Sequence, residues 1–170
     1  MILDLKGFFC GGNQEVKIDT DFDFSAEEYG GEFLFPKPVH IVGTISNKAD
    51  VTHIELNCSM EIEKVCDRCG TPNKKPFTVK INRVAVRELA GEDNDEEILL
   101  LPDEKLDLYE FCFGEIILSL PMKHLCKEDC KGICINCGKN LNQGPCKCEH
   151  KSIDPRLEVL AKLLEQTEED

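Results

Sequence analysis

The sequence predicts an α+β fold, with an antiparallel β-sheet, open or partly closed into a barrel, two helices and a cysteine-rich C-terminal segment. Three observations predict it. Residues 54–62 alternate apolar and polar, residues 106–120 repeat apolar side chains at three- and four-residue steps, and eight of the eleven cysteines fall into close pairs.

The alternation places Ile54, Leu56, Cys58, Met60 and Ile62 on one face and Glu55, Asn57, Ser59, Glu61 and Glu63 on the other. Period two is the signature of a strand with one buried and one wet face. Val39, Ile41 and Ile45 form a weaker run of the same kind, and Ser46-Asn47-Lys48-Ala49-Asp50 reads as the hairpin loop between the two. Phe77, Val79 and Ile81 begin a third strand. The apolar phase then slips to Val84 and Val86, which predicts a β-bulge near Arg83. Short strands are expected near Leu3, near Val16–Ile18 and over Ile98–Leu101. The run Glu92-Asp93-Asn94-Asp95-Glu96-Glu97 reads as a solvated loop, because it lacks the ligand order of a calcium loop.

In residues 106–120, Tyr109, Cys112, Phe113, Ile116, Ile117 and Leu120 give a helix with a wide apolar stripe, ended by Pro121. Gly114 inside it costs about 1 kcal/mol relative to Ala, which points to close packing at that position. A second helix is signalled by Asp154 as N-cap and Pro155 at the first turn, with Leu157, Leu160, Ala161 and Leu164 on its apolar face. The expected organisation is a strand-rich body over residues 1–121, a cysteine-rich segment over 122–151, and a helix with an acidic end over 152–170 packed on the body.

No apolar run approaches the roughly 18–20 residues of a membrane span, and the N-terminus lacks the pattern of a signal peptide. A soluble cytoplasmic protein is expected. The net charge of −13 is uneven. Residues 1–121 hold 12 Lys/Arg against 24 Asp/Glu, giving −12; residues 122–151 hold 6 against 3, giving +3; residues 152–170 hold 2 against 6, giving −4. Such a body repels a phosphate backbone and favours basic protein partners.

The cytosol keeps thiols reduced, so paired cysteines there read as metal ligands, while a secreted disulfide protein fits poorly with an odd cysteine count. Two pairs have the form Cys-x-x-Cys-Gly: Cys66/Cys69 before Gly70, and Cys134/Cys137 before Gly138. This spacing folds into a knuckle that aims both sulfurs at one point, and Gly supplies the positive φ that closes it. Cys126/Cys130 and Cys146/Cys148 complete the set. Four-thiolate tetrahedral sites at these spacings favour Zn²⁺, although rubredoxin-type iron takes the same ligands. The short loop from Cys137 to Cys146 closes locally, which assigns Cys134, Cys137, Cys146 and Cys148 to a first zinc. Cys66, Cys69, Cys126 and Cys130 remain for a second. Two alternatives stay open: the two knuckles sharing one metal, and one zinc with spare thiols.

The other candidates have bland readings. Cys58 and Cys112 fall on apolar faces and read as small core residues, and Cys10 as a free thiol. His124 and His150 flank the cysteine pairs and are substitute ligands at most, while His40 and His53 read as structural or exposed. Catalytic zinc keeps an open position and a nearby base, which an all-thiolate site lacks. The strand expected after Cys66 argues against a thioredoxin-like redox centre. No Walker loop, dinucleotide fingerprint or nucleophile elbow is present.

One set of motifs is more specific than any cysteine pair. Cys66-Asp67-Arg68-Cys69 after a strand, Leu106-Asp107-Leu108 leading to Glu115–Pro121, the run Cys126–Gly138, Asn140-Leu141-Asn142 and Asp154-Pro155-Arg156 together resemble the YceD family, the large ribosomal RNA subunit accumulation proteins of bacteria. The resemblance implies a non-catalytic role in making or stabilising the large ribosomal subunit and its RNA, and the acidic body points to a basic ribosomal protein or assembly factor, alone or in a pre-ribosomal particle, as partner. Similar proteins lack most of the tail cysteines, which implies that one or two zinc ions stabilise this version without being its functional element. An acidic adaptor is the reading the charge favours. The alternative is a zinc-ribbon nucleic-acid-binding or regulatory module, whose basic face could come from lysines 123, 127, 131, 139, 147 and 151.

Overall fold

The computed structural model describes residues 1–10, 14–48, 51–88 and 97–148. The chain divides into two compact units, one of residues 1–67 and 71–128, the other of residues 68–70 and the described chain from Asp129. The helix expected after Asp154, His150 and most of the acidic loop after Glu88 lie outside the described residues.

In the first unit the elements run β1 (Ile2–Asp4), α1 (Lys6–Phe9), β2 (Glu15–Phe22), β3 (Glu28–Tyr29), β4 (Glu32–Phe33), β5 (Val39–Lys48), β6 (Val51–Val65), β7 (Pro72–Val86), β8 (Ile98–Leu100), β9 (Lys105–Asp107) and α2 (Leu108–Ser119). One five-stranded sheet has the order β2-β5-β6-β7-β8; β1 pairs with β9 and β3 with β4. The sheet is open, not a barrel. It is also mixed: β8 runs parallel to β7, with Val84 opposite Ile98, so the expected all-antiparallel sheet is corrected.

The alternation read at Ile54–Ile62 is present, and register carries it across the strands. Ile41 faces Cys58 and Ile45 faces Ile54; Leu56 faces Ile81 and Cys58 faces Val79. All of these side chains are buried. β5 and β6 are longer than the sequence predicts, and Ser46, Asn47 and Lys48 belong to the β5 ladder, not to a loop. The buried Asn47 donates its backbone N–H to the Gln14 carbonyl at 2.9 Å, and its side-chain amide donates to the Phe8 carbonyl. Polar residues near a turn thus serve as an anchor for α1.

No bulge interrupts β7. Its pairing with β6 runs continuously from Thr52 opposite Ala85 to Val65 opposite Pro72, and Arg83 takes its turn opposite Ile54. The core phase passes through Arg83 to Ala85, which is 3% exposed. Arg83 is tolerated there because Glu115 on α2 receives it bidentately: Nε donates to Oε1 at 3.0 Å and an Nη to Oε2 at 2.7 Å. A paired charge in a core position costs far less than an isolated one.

α2 starts two residues later than its periodicity suggests. The Asp107 carboxylate accepts the Tyr109 N–H at 3.0 Å as N-cap, and Leu120 is extended ahead of Pro121. Cys112 and Ile116 are buried on α2, as Cys58 is on the sheet. Phe24, Phe35, Phe22, Tyr109 and Phe113 form an aromatic cluster, with Phe24 and Tyr109 4.7 Å apart between centroids. The packing expected around Gly114 is absent: the residue is exposed, and a Cβ there would meet nothing within 4 Å. Gly43 is the opposite case. A Cβ there would run into the Glu55 carbonyl oxygen and lie 2.8 Å from the Leu56 Cα, so β5 and β6 approach as only Gly allows. No helix among the described residues is long and apolar enough to cross a membrane.

The second unit is built on turns. Ile133 bridges Asn140, a 3₁₀ turn spans Leu141–Gln143, and the carbonyl of Gly132 accepts the Leu141 N–H at 2.9 Å.

Two glycine substitutions test this fold by urea unfolding. Gly114→Ala should raise stability by about 1 kcal/mol, since it gains helix propensity and meets no obstacle. Gly43→Ala should lower it by about 1–3 kcal/mol, because the new methyl must force two strands apart.

Candidate metal centres

Each cysteine pair is presented by short-range backbone geometry. In the Cys134 knuckle the Gly138 N–H donates to the Cys134 carbonyl at 2.8 Å, and the Cys134 N–H donates to the Lys139 carbonyl at 2.8 Å. Gly138 closes the turn at φ +71°, in the left-handed region that side chains resist. The Cys66 knuckle has the same device, with Gly70 at φ +66°, and the Cys66 N–H donates to the Thr71 carbonyl at 3.0 Å.

The sulfurs fall into two groups of four. Cys134, Cys137, Cys146 and Cys148 have all their Sγ atoms within 4.8 Å of one another, and so do Cys66, Cys69, Cys126 and Cys130. The two knuckles therefore do not share a group. Cys66, Cys69, Cys130 and Cys134 are buried, while Cys137 is exposed.

The donor set fits a metal ion on electrostatic grounds. Backbone N–H groups of Cys137 and Asn136, with the first the larger influence, pull the Cys134 thiol down to about 6. Its hydrogen bond with Cys137, then burial and the negative charge of Cys134, push the Cys148 thiol up to about 12. One sulfur of the group ionises readily and its neighbour resists. A cation among them removes that opposition, and a coordinating thiol loses its proton outright. Each group offers four sulfur donors.

His124 belongs to neither group. Its backbone N–H donates to the Asp67 carboxylate at 2.6 Å, its Nε2 pairs with Asn73 Oδ1 at 3.0 Å, and burial, then the Lys75 charge, lowers its pKa. The exposed His40 lies 2.9 Å from Asp21. Cys10 is exposed, and Cys58 and Cys112 are core residues.

Spacing alone gives no role to two further residues. Arg68 donates from Nη1 to the Cys130 carbonyl at 3.0 Å. Asn142 donates from its side-chain amide to Cys130 Sγ at 3.3 Å. Both contacts join residues far apart in sequence.

The family model described as "Large ribosomal RNA subunit accumulation protein YceD" matches residues 54–164. Among curated relatives, the uncharacterised protein YlbN of Bacillus subtilis is 26% identical over 92% of this chain and 95% of its own length. An uncharacterised protein of Mycobacterium tuberculosis is 29% identical over 58% of this chain and 49% of its own. The chloroplastic large ribosomal RNA subunit accumulation protein YCED homolog 1 of Arabidopsis thaliana is 30% identical over 44% of this chain and 24% of its own. No solved structure matches.

The thiol values set the sign of a pH dependence. Cys134 is lowered, so its thiolate is present above about 6 and lost as the pH falls through that value. Cys148 is raised, so a metal must displace its proton throughout the neutral range. Metal affinity measured by chelator competition should therefore rise steadily from pH 6 to 8, with protons released on uptake. Affinity independent of pH would show that these thiols are not the ligands.

Proposed function

The chain belongs to the YceD family, and from that premise we propose that it is a non-catalytic ribosome-biogenesis factor supporting accumulation of large-subunit ribosomal RNA. The family match over residues 54–164 is the observation that carries this reading. The chain acts in the cytoplasm as an acidic adaptor for a basic ribosomal protein or assembly factor, alone or within a pre-ribosomal particle. Its body has −12 on residues 1–121 in support of this, from 12 Lys/Arg against 24 Asp/Glu. Exposed Glu15, Asp19 and Asp21 on β2 and Glu55 on β6 lie on the face of the sheet opposite Ile18 and Leu56.

Zinc is the ion proposed for both cysteine groups, since four thiolates in a closed tetrahedral set suit it. Its role is structural. Among the described residues from Asp129 onward, the buried ones are Cys130, Gly132 and Cys134, so this unit has almost no apolar core of its own. Metal bonds replace that core, as in small zinc modules where binding is worth about 10–16 kcal/mol of apparent free energy. The closed ligand sets also support a role without catalysis.

Elemental analysis of protein purified without added metal should find about two zinc ions per chain, one per four-thiolate set. Cys137→Ser should expose the backbone amides of residues 130–144 to hydrogen exchange while β5, β6 and β7 stay protected. Melting of the sheet as well would show that the metal unit is not separable.

The partner is tested by salt and charge. Association with a basic protein captured from cells should slow as salt shortens the screening length below about 8 Å. Asp19→Asn, Asp21→Asn and Glu55→Gln together should slow it further without unfolding the sheet, since all three are exposed. The rival nucleic-acid reading draws on exposed Lys131, Lys139 and Lys147. Tight binding to ribosomal RNA that is lost on reversing those lysines, and untouched by the acidic set, would overturn the adaptor.

A further inference from the structure

We infer that Asn142 is a positioning residue that couples the two cysteine groups, making metal uptake at one set the affinity of the other. The inference rests on the reading of both groups as metal sites. Asn142 lies in the loop enclosed between Cys137 and Cys146, within the Cys134 group, yet its side chain serves Cys130, a member of the Cys66 group.

The amide orientation follows from its partners. Lys131 N–H donates to Asn142 Oδ1 at 3.0 Å, and a backbone N–H cannot accept. The opposite end of the amide must be the NH₂, and that end lies 3.3 Å from Cys130 Sγ and 3.0 Å from Asn140 Oδ1. A sulfur bound to a divalent cation keeps excess negative charge, which an N–H donor stabilises. Donors of this kind hold first-layer ligands in place and tune the metal.

The loop reaches Cys130 because it zips along the three residues between Cys130 and Cys134. Lys131 N–H meets Asn142 Oδ1, the Gly132 carbonyl accepts the Leu141 N–H at 2.9 Å, and Ile133 bridges Asn140. Asn140 Oδ1 in turn accepts the Asn142 backbone N–H at 2.9 Å, which fixes the 3₁₀ turn. Gly132 takes φ +72°, and a Cβ on it would stand 3.1 Å from the Arg68 carbonyl oxygen. A metal on Cys134, Cys137, Cys146 and Cys148 clamps both ends of the loop and so delivers the Asn142 donor to Cys130. Coupling of this sort is reciprocal by linkage.

Cobalt titration of the full chain tests it, with the sulfur-to-cobalt charge-transfer band reporting each site. Asn142→Asp keeps the oxygen for Lys131 but loses the donor to sulfur. It should weaken cobalt binding at the Cys66 group by about 10–100-fold and shift its band to lower energy. Cys146→Ser with Cys148→Ser, which disables the loop site, should weaken the Cys66 group by a similar factor. Adding Asn142→Asp to that pair should change little more, because the donor is already undelivered. Asn142→Ala serves as the variant without a new charge, and hydrogen exchange in β5, β6 and β7 shows that the body remains folded. Two cobalt equivalents bound with unchanged affinity and band in both Asn142 variants would overturn the coupling and leave the metal reading standing. Full additivity of the Asn142 and Cys146/Cys148 effects would also overturn it. A wild-type chain that takes up no cobalt overturns both.

Discussion

Four sulfurs held within 4.8 Å of one another cannot all carry charge unless a cation stands among them, and the cysteine-rich unit depends on that constraint. Its backbone does what it can unaided. Two glycines at positive φ close the knuckles, and N–H groups of Cys137 and Asn136 stabilise one thiolate, Cys134. The rise of Cys148 to about 12 marks the limit of that arrangement. Among the described residues from Asp129 onward scarcely an apolar side chain is buried, so on the proposed metal reading the fold of this unit and the occupancy of its ligands are one equilibrium.

The body is organised by a different principle. One face of a five-stranded sheet packs its Ile, Leu and Val side chains with α2 and an aromatic cluster, and burial of that surface supplies the stability. Two local exceptions show how tight the arrangement is. Gly43 permits a backbone approach that a methyl group would block, and Arg83 sits in a core position only because Glu115 grips it with two hydrogen bonds. Neither group of that pair is fully exposed, at 26% and 14%, so removing Glu115 alone would strand a half-buried guanidinium.

These exceptions also explain what the sequence reveals and what it hides. Ile54–Ile62 is legible as a strand because its signal is local and period two, and the stripe from Tyr109 to Leu120 is legible as a helix for the same reason. Arg83 is misleading: its polarity looks like a change of face, and the residue that reconciles it lies 32 positions away. Gly114 misleads in the other direction, since a helical glycine suggests contact and this one faces open space. The Gly30-Gly31 turn between β3 and β4, with φ of 63° and 85°, is a local signal that an alternation search passes over because the strands are two residues long. For the cysteines, the short loop from Cys137 to Cys146 makes one grouping readable, while the other stays open in the sequence, because the two knuckles could equally share a metal and only the placement of the sulfurs separates them. Asn142 is beyond reach of spacing arguments, because its importance lies in a contact to a sulfur 12 residues earlier.

The same chemistry bears on which surface meets a partner. Residues 122–151 hold 6 Lys and 3 acids, a local +3 that by itself would suggest a basic face for RNA. That count treats cysteine as neutral. On the proposed zinc reading, each four-thiolate site leaves two net negative charges, so the ligands from this segment offset most of its excess. On that reading the cysteine-rich unit is a poorer RNA surface than its composition suggests. With −12 on residues 1–121 as well, the charge favours the proposed basic protein partner over RNA.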